Sequence, residues 1–133
     1  MKKTILIIIV IALSVVLSAC RLDKVKFGGV RMMYGTNEAG RIAYDISTFT
    51  GIEQGEVQAE TGQVILFSYL VDLDKGALFI EWQDPNGEVM WQKNIENSDQ
   101  GEVDIEINSQ GTHKILIRGA GAGGRFDVSW SEE

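Results

Sequence analysis

Glu102-Val103-Asp104-Ile105-Glu106-Ile107 alternates acid with aliphatic at every step. Arg125-Phe126-Asp127-Val128-Ser129-Trp130 does the same, with Phe126, Val128 and Trp130 on the apolar side. Successive side chains of an extended chain point to opposite faces, so each stretch offers one face to a core and one to water. That is the pattern of antiparallel strands solvated on one side. Moving outward, Val64 to Val71 is apolar at both parities apart from Ser68, which predicts a strand covered on both sides. Leu78-Phe79-Ile80-Glu81-Trp82 and Val89-Met90-Trp91 flank Asp84-Pro85-Asn86-Gly87, and predict a hairpin. Pro fixes φ near −65° in such a turn and Gly supplies a positive φ. Ile115-Leu116-Ile117 reads as another interior strand.

Further turn signals are spaced as in a β-sandwich or barrel. Asp72-Leu73-Asp74-Lys75-Gly76 and Asn108-Ser109-Gln110-Gly111 read as reversals, and Gly119-Ala120-Gly121-Ala122-Gly123-Gly124 as a flexible hairpin loop. The single proline falls in a turn. The expected fold is all-β: an antiparallel two-sheet sandwich of about eight strands, for which a jelly roll is one candidate topology. It follows an N-terminal signal helix and occupies residues 40–133.

Residues 1–19 have another character. Met1-Lys2-Lys3 is a basic start, and Thr4 to Leu17 is an apolar run. The run is short for a transmembrane helix, which takes about 20 predominantly apolar residues. Charged start, apolar middle and small residues at the end are the layout of a secretory signal. Leu17-Ser18-Ala19-Cys20 resembles the lipobox of bacterial lipoproteins: an aliphatic residue, two small residues and a cysteine. The resemblance implies cleavage before Cys20 and a diacylglycerol on its sulfur. Cys20 is the only cysteine, so no intramolecular disulfide can form. Two acyl chains hold a stable tether where one is marginal. The chain is therefore expected to be exported and lipid-anchored, with its domain on the extracytoplasmic side.

The net charge of −7 is unevenly spread. Residues 20–39 form a basic stem, within which Val30-Arg31-Met32-Met33-Tyr34 reads as a first edge strand. Arg21, Lys24, Lys26 and Arg31 are candidate membrane-surface contacts, since a basic side chain beside anionic lipid adds about 1 kcal/mol. The rest of the chain is strongly acidic. That excludes a nucleic-acid partner, which wants a basic face.

Residues 76–130 resemble, more loosely, the β-sandwich modules of the prepeptidase C-terminal type. The segments concerned are Gly76-Ala77-Leu78-Phe79-Ile80, Asp84-Pro85-Asn86-Gly87, Gly111-Thr112-His113-Lys114-Ile115 and Gly124-Arg125-Phe126-Asp127-Val128. His113 departs from the pattern, standing where an aromatic is usual. The resemblance implies a non-catalytic accessory or binding domain.

Chemistry-bearing patterns are sparse. His113 is the only histidine and reads as a packing residue of its strand. The glycine run precedes a strand and lacks Gly-Lys-Ser/Thr, so it is no phosphate loop. Transition metals have almost no Cys or His to bind. Calcium takes oxygen ligands, and Asp72, Asp74 and Asp84 on turns are the candidates, although turn formation explains them as well. Glu102, Asp104 and Glu106 read as one solvated strand face. Trp82, Trp91 and Trp130 read as core, whereas a glycan platform would need exposed, coplanar aromatics. The expected function is non-enzymatic, without a cofactor other than the lipid: a binding or adaptor module for an envelope protein or glycan. Two alternatives remain, a structural subunit pairing through an exposed strand edge and a glycan-binding accessory domain.

Overall fold

A computed structural model describes residues 31–133. The leader with its expected helix, the lipobox residues Leu17, Ser18, Ala19 and Cys20, and the basic residues Arg21, Lys24 and Lys26 lie outside the described residues. Six strands follow in order: β1 (Arg31–Glu38), β2 (Arg41–Ala59), β3 (Val64–Gln83), β4 (Val89–Ile95), β5 (Ser98–Glu106) and β6 (Gly111–Glu132). All pairings are antiparallel, in one sheet of order β1-β2-β6-β3-β4, with β5 also on β3.

The expected eight strands become six because three of them are long. β2, β3 and β6 run for 19, 20 and 22 residues. Each carries register irregularities, and these line up across the sheet. Phe49 and Gly51 of β2 lie opposite Ala122 and Gly119 of β6, while Leu73, Lys75 and Ala77 of β3 lie opposite Gly124, Gly123 and Ala120. The line is a crease. Bulges bend a strand and increase its twist without ending it. The stretches Asp72–Gly76 and Gly119–Gly124, expected to be a reversal and a hairpin loop, are therefore the interiors of bent strands. The expectation errs because a crease and a turn ask for the same residues. The Asp84–Gly87 turn forms as expected, and Trp82 lies opposite Trp91 in the β3–β4 hairpin. Asn108–Gly111 closes no hairpin: it leads from β5, which lies on the start of β3, to β6, which begins beside the end of β3.

Gly124 shows what the crease demands. Its φ is +128°, and a Cβ there would run into the Asp72 carbonyl. Gly124→Ala is expected to destabilise the fold by more than about 2 kcal/mol, through backbone strain and displacement of β3. Urea denaturation checks this, and a change within 0.5 kcal/mol of zero (the usual range of about ±0.5 for surface substitutions) would show that the crease can relax.

On either side of the crease the sheet has two halves. The first contains β1, the start of β2, the end of β6, the start of β3, and β5. The second contains the end of β2, the start of β6, the end of β3, and β4. One core joins them. Ile42, Phe67, Val71, Phe126 and Val128 come from the first half, and Leu78, Ile80, Trp82, Ile115 and Ile117 from the second. Phe67 packs edge-on against both Trp82 and Trp91, with ring centroids 5.6 and 5.2 Å apart. Burying each such side chain contributes about 1.5–3 kcal/mol against the entropy of ordering.

Lys93 of β4 and Asp99 of β5 form an ion pair of 3.0 Å that links the second half to the first. The hydrogen bond to Lys93 holds the Asp99 carboxyl below its ordinary value, and the same bond holds the Lys93 ammonium above its own. The contribution of the pair is present through neutral pH. It is lost in acid as pH falls through the depressed Asp99 value, and in base as pH rises through the raised Lys93 value.

One expectation for β3 is corrected. Its first half is not covered on both sides. Ile65, Phe67, Tyr69, Val71 and Leu73 are buried, but Leu66, Ser68 and Leu70 on the other face are only half-buried. That other face is open to solvent and forms the floor of the site described next.

A candidate binding trough on the open face

The register of the first half sets the outward side chains in rows. One row runs Arg41, Ser129, Ser68, Glu102 across β2, β6, β3 and β5. The next runs Thr36, Ala43, Asp127, Leu70, Gln100, beginning on β1. The third runs Tyr34, Asp45, Arg125, Asp72, Ser98. Ala43, Ser68 and Ser129 are short and lie among longer groups, namely Tyr34 on β1, Arg41 on β2, Arg125 on β6, and Gln100 and Glu102 on β5. Short groups among long ones leave a trough.

Three depressions make up this trough, of about 690, 500 and 430 Å³. All three touch Leu70. The first two share Arg41 and Asp127, and the last two share Arg125. They are therefore one continuous concavity, on the scale of small-molecule sites.

The side chains that line it are mutually oriented. Arg41 grips Asp127 with both arms, Nε to Oδ1 at 3.0 Å and a terminal nitrogen to Oδ2 at 2.6 Å. Such forked pairing fixes both planes. The hydrogen bond to Asp127, then its charge, holds the Arg41 guanidinium above its ordinary value. Ser98 donates to Asp72 at 2.6 Å. Tyr34 is 85% exposed at the β1 end, so its ring face is free. Arg125 forms no ion pair among the described residues.

The residues singled out from sequence fall elsewhere. His113 is fully buried on the inner side of the second half. Its Nδ1 accepts from the Trp82 indole N–H at 3.2 Å, and its Nε2–H donates to the Ser109 carbonyl at 2.8 Å. Both ring nitrogens are occupied and the group is structural. Asp84 accepts the amides of Asn86 and Glu88 at 2.8 Å each, closing its own turn. Asp72 lies in the trough, and Asp74 at the crease beside Gly123. Among the described residues no group of three or more His, Cys, Asp or Glu is arranged to hold a metal ion. Trp82 is fully buried, and Trp91 and Trp130 pack against the core. Arg31, a candidate membrane contact, places its guanidinium on Glu53 and on the Ile52 carbonyl. Glu102 lies on the trough wall, on the outward face with Asp104 and Glu106.

Sequence reasoning missed Arg41, Gln100, Arg125 and Asp127 as a set. The outward parity of Arg125, Asp127 and Ser129 was visible, but which strands flank them was not.

No family model matches the chain, and no curated protein matches it by sequence. Its fold is similar to several solved structures at low identity. A structure described as "CBM4 structure and function" shares 8% identity with a TM-score of 0.49, covering 79% of this chain and 81% of that one. TmCBM61 in complex with β-1,4-galactotriose shares 14% at a TM-score of 0.44, covering 71% of this chain and 66% of that one. The carbohydrate-binding module CBM6cm-2 from Cellvibrio mixtus lichenase 5A, in complex with cellotriose, shares 15% at 0.43, covering 75% and 82%.

Proposed function

We propose that this protein is a non-catalytic glycan-binding module, held at the outer side of a bacterial cell membrane by lipid on Cys20. Its creased sheet acts as a sandwich whose open face is the binding face. The observation that carries this reading is the trough. A sugar ring presents hydroxyls that donate and accept on its rim and C–H groups on its faces. The trough offers donors (Arg125, Gln100), acceptors (Asp45, Asp72, Glu102) and hydroxyls (Thr36, Ser68, Ser129) around a single central Leu70, with the Tyr34 ring exposed at one end. A protein interface would want a larger apolar centre.

The leader supports the anchored part of the proposal. Confinement to a surface raises effective concentration, so shallow, weak sites suffice. Cys20→Ala should release the protein from the membrane fraction, and persistence there in uncleaved form would contradict lipidation.

Titration calorimetry with a panel of soluble oligosaccharides tests binding. Arg125→Ala should weaken the bound glycan by about tenfold or more, the loss of a charge-assisted hydrogen bond worth about 1.5–3 kcal/mol. The fold should hardly change, because Arg125 is exposed and has no ion-pair partner among the described residues. Absence of binding across the panel, or binding indifferent to Arg125→Ala, counts against the trough.

A further inference from the structure

We infer, resting on the glycan-binding reading and naming its substrate class, that the trough selects a glycan carrying free amino groups, with Tyr34 and Asp45 as the subsite for one ammonium. The charges that line the trough do not balance. Asp127 is answered by Arg41 in the forked pair, and Asp99 by Lys93 at 3.0 Å. What is left is three carboxylates, Asp45, Asp72 and Glu102, against one guanidinium, Arg125. None of the three carboxylates makes an ion pair among the described residues. Asp72 takes the Ser98 hydroxyl at 2.6 Å and Glu102 the Ser68 hydroxyl at 3.4 Å, both neutral donors.

Arg125 lies opposite Asp45 on one side and Asp72 on the other, and one guanidinium cannot neutralise two carboxylates. An acidic glycan would add to this excess, and a neutral one would leave it standing. A protonated amine removes it, which is how charge complementarity chooses between ligands of one shape.

Tyr34 and Asp45 give the amine a place. They are directly opposed partners of β1 and β2, and both are exposed on the open face. Opposed residues hold their Cβ atoms about 4.5–5.5 Å apart, so ring and carboxylate stand side by side. An aromatic face attracts a cation within about 6 Å of its centre. The carboxylate accepts the ammonium hydrogens in charge-assisted bonds. A sugar uses both at once: its C–H face lies on the Tyr34 ring while an amine on its rim reaches Asp45. Asp72 stands in the same row two strands farther on, about 10 Å away. A chain with an amine on each sugar therefore meets a second carboxylate beyond Arg125.

The test is titration calorimetry on the full-length protein in detergent, at mildly acidic pH, where the sugar amine carries its proton. Three probes are used: a β-1,4-linked glucosamine tetramer, the same tetramer with hydroxyls in place of its amines, and tetralysine. The amine form should bind about tenfold tighter than the hydroxyl form, the effect of one charge-assisted hydrogen bond, and added salt should shrink the difference. Asp45→Asn should erase most of that preference. Glu106→Gln, on β5 outside the trough, should leave it intact. Equal affinity for the two sugars overturns the assignment of an amine-bearing glycan, as does a preference that survives Asp45→Asn. Tetralysine binding as tightly as the glucosamine tetramer also overturns it, since charge alone would then be recognised and the ligand would be a basic peptide. Each of these outcomes leaves the trough standing as a binding site, whereas the glycan-binding reading itself fails only when no oligosaccharide binds at all.

Discussion

Trp82→Ala should lower the free energy of unfolding by about 3–5 kcal/mol, the range for removing a large buried aromatic. Small domains hold only about 5–15 kcal/mol in all, so much of the population would unfold at growth temperature. Two contacts make this position decisive. The Trp82 ring belongs to the second half of the sheet and meets Phe67 of the first at 81° between ring planes, so it joins the halves across the core. Its indole N–H is buried and donates to His113 Nδ1. Trp82→Phe separates the two, keeping a ring and removing the donor. It should cost less than Trp82→Ala, with about 1–3 kcal/mol traceable to the unpaired His113 nitrogen. His113→Ala should be worse than an ordinary histidine truncation, because it orphans both the Trp82 N–H and the Ser109 carbonyl. Urea denaturation of the single and double substitutions forms a cycle. If Trp82→Phe and His113→Ala prove additive, the hydrogen bond contributes nothing and the account of His113 is wrong.

That pair also shows where sequence reading stops. Alternation placed His113 on the face of Ile115 and Ile117, which is correct. Its partner lies on β3, a strand 31 positions away in sequence. Period-two patterns assign faces but carry no register between strands, and a one-residue slip changes every neighbour. The hairpin of Trp82 and Trp91 was legible because a four-residue turn fixes register locally. The long β3–β6 ladder was not, because nothing local fixes it.

The crease failed for a different reason. Glycine clusters at 119–124 and the Asp-rich stretch at 72–76 carry genuine turn chemistry, and the backbone does bend there. What the sequence lacks is the sign that both flanks continue along the same neighbours. Two strands bending together keep their ladder, whereas one bending alone would have to reverse. The trough was hidden by the same ignorance. Arg41 lies near the start of β2 and Asp127 near the end of β6, 86 residues apart. Each alone looks like an ordinary surface charge, and only pairing makes them one forked group.

Arg31→Met should cost about 2 kcal/mol and loosen β1 selectively. Glu53 lies on the inner side of β2 with its side chain only 10% exposed, while the Arg31 side chain is 44% exposed. Glu53 also accepts from the Asn37 amide at 3.0 Å. Tyr44 lies near the same charge: its own desolvation first, and then the Glu53 charge, hold the Tyr44 phenol above its ordinary value. Breaking a fully buried pair costs about 3–5 kcal/mol, because the remaining charge is stranded. Here solvent reaches the Arg31 side, which lowers the figure. The Arg31 guanidinium also lies over the Phe49 ring at 5.5 Å, so Met keeps part of the packing while removing the charge. Hydrogen exchange should quicken in β1, which is held on one side by β2, and remain slow in β3 and β6. Arg31→Met combined with Glu53→Leu should recover most of the loss, since removing both charges is often neutral. Without such recovery the cluster would not be an ion pair in any energetic sense, and Arg31 would be free for lipid. The two roles compete for one guanidinium, and the buried carboxylate wins on electrostatics, because desolvated Glu53 has no other cation within reach among the described residues, whereas a lipid headgroup can exchange one cation for another.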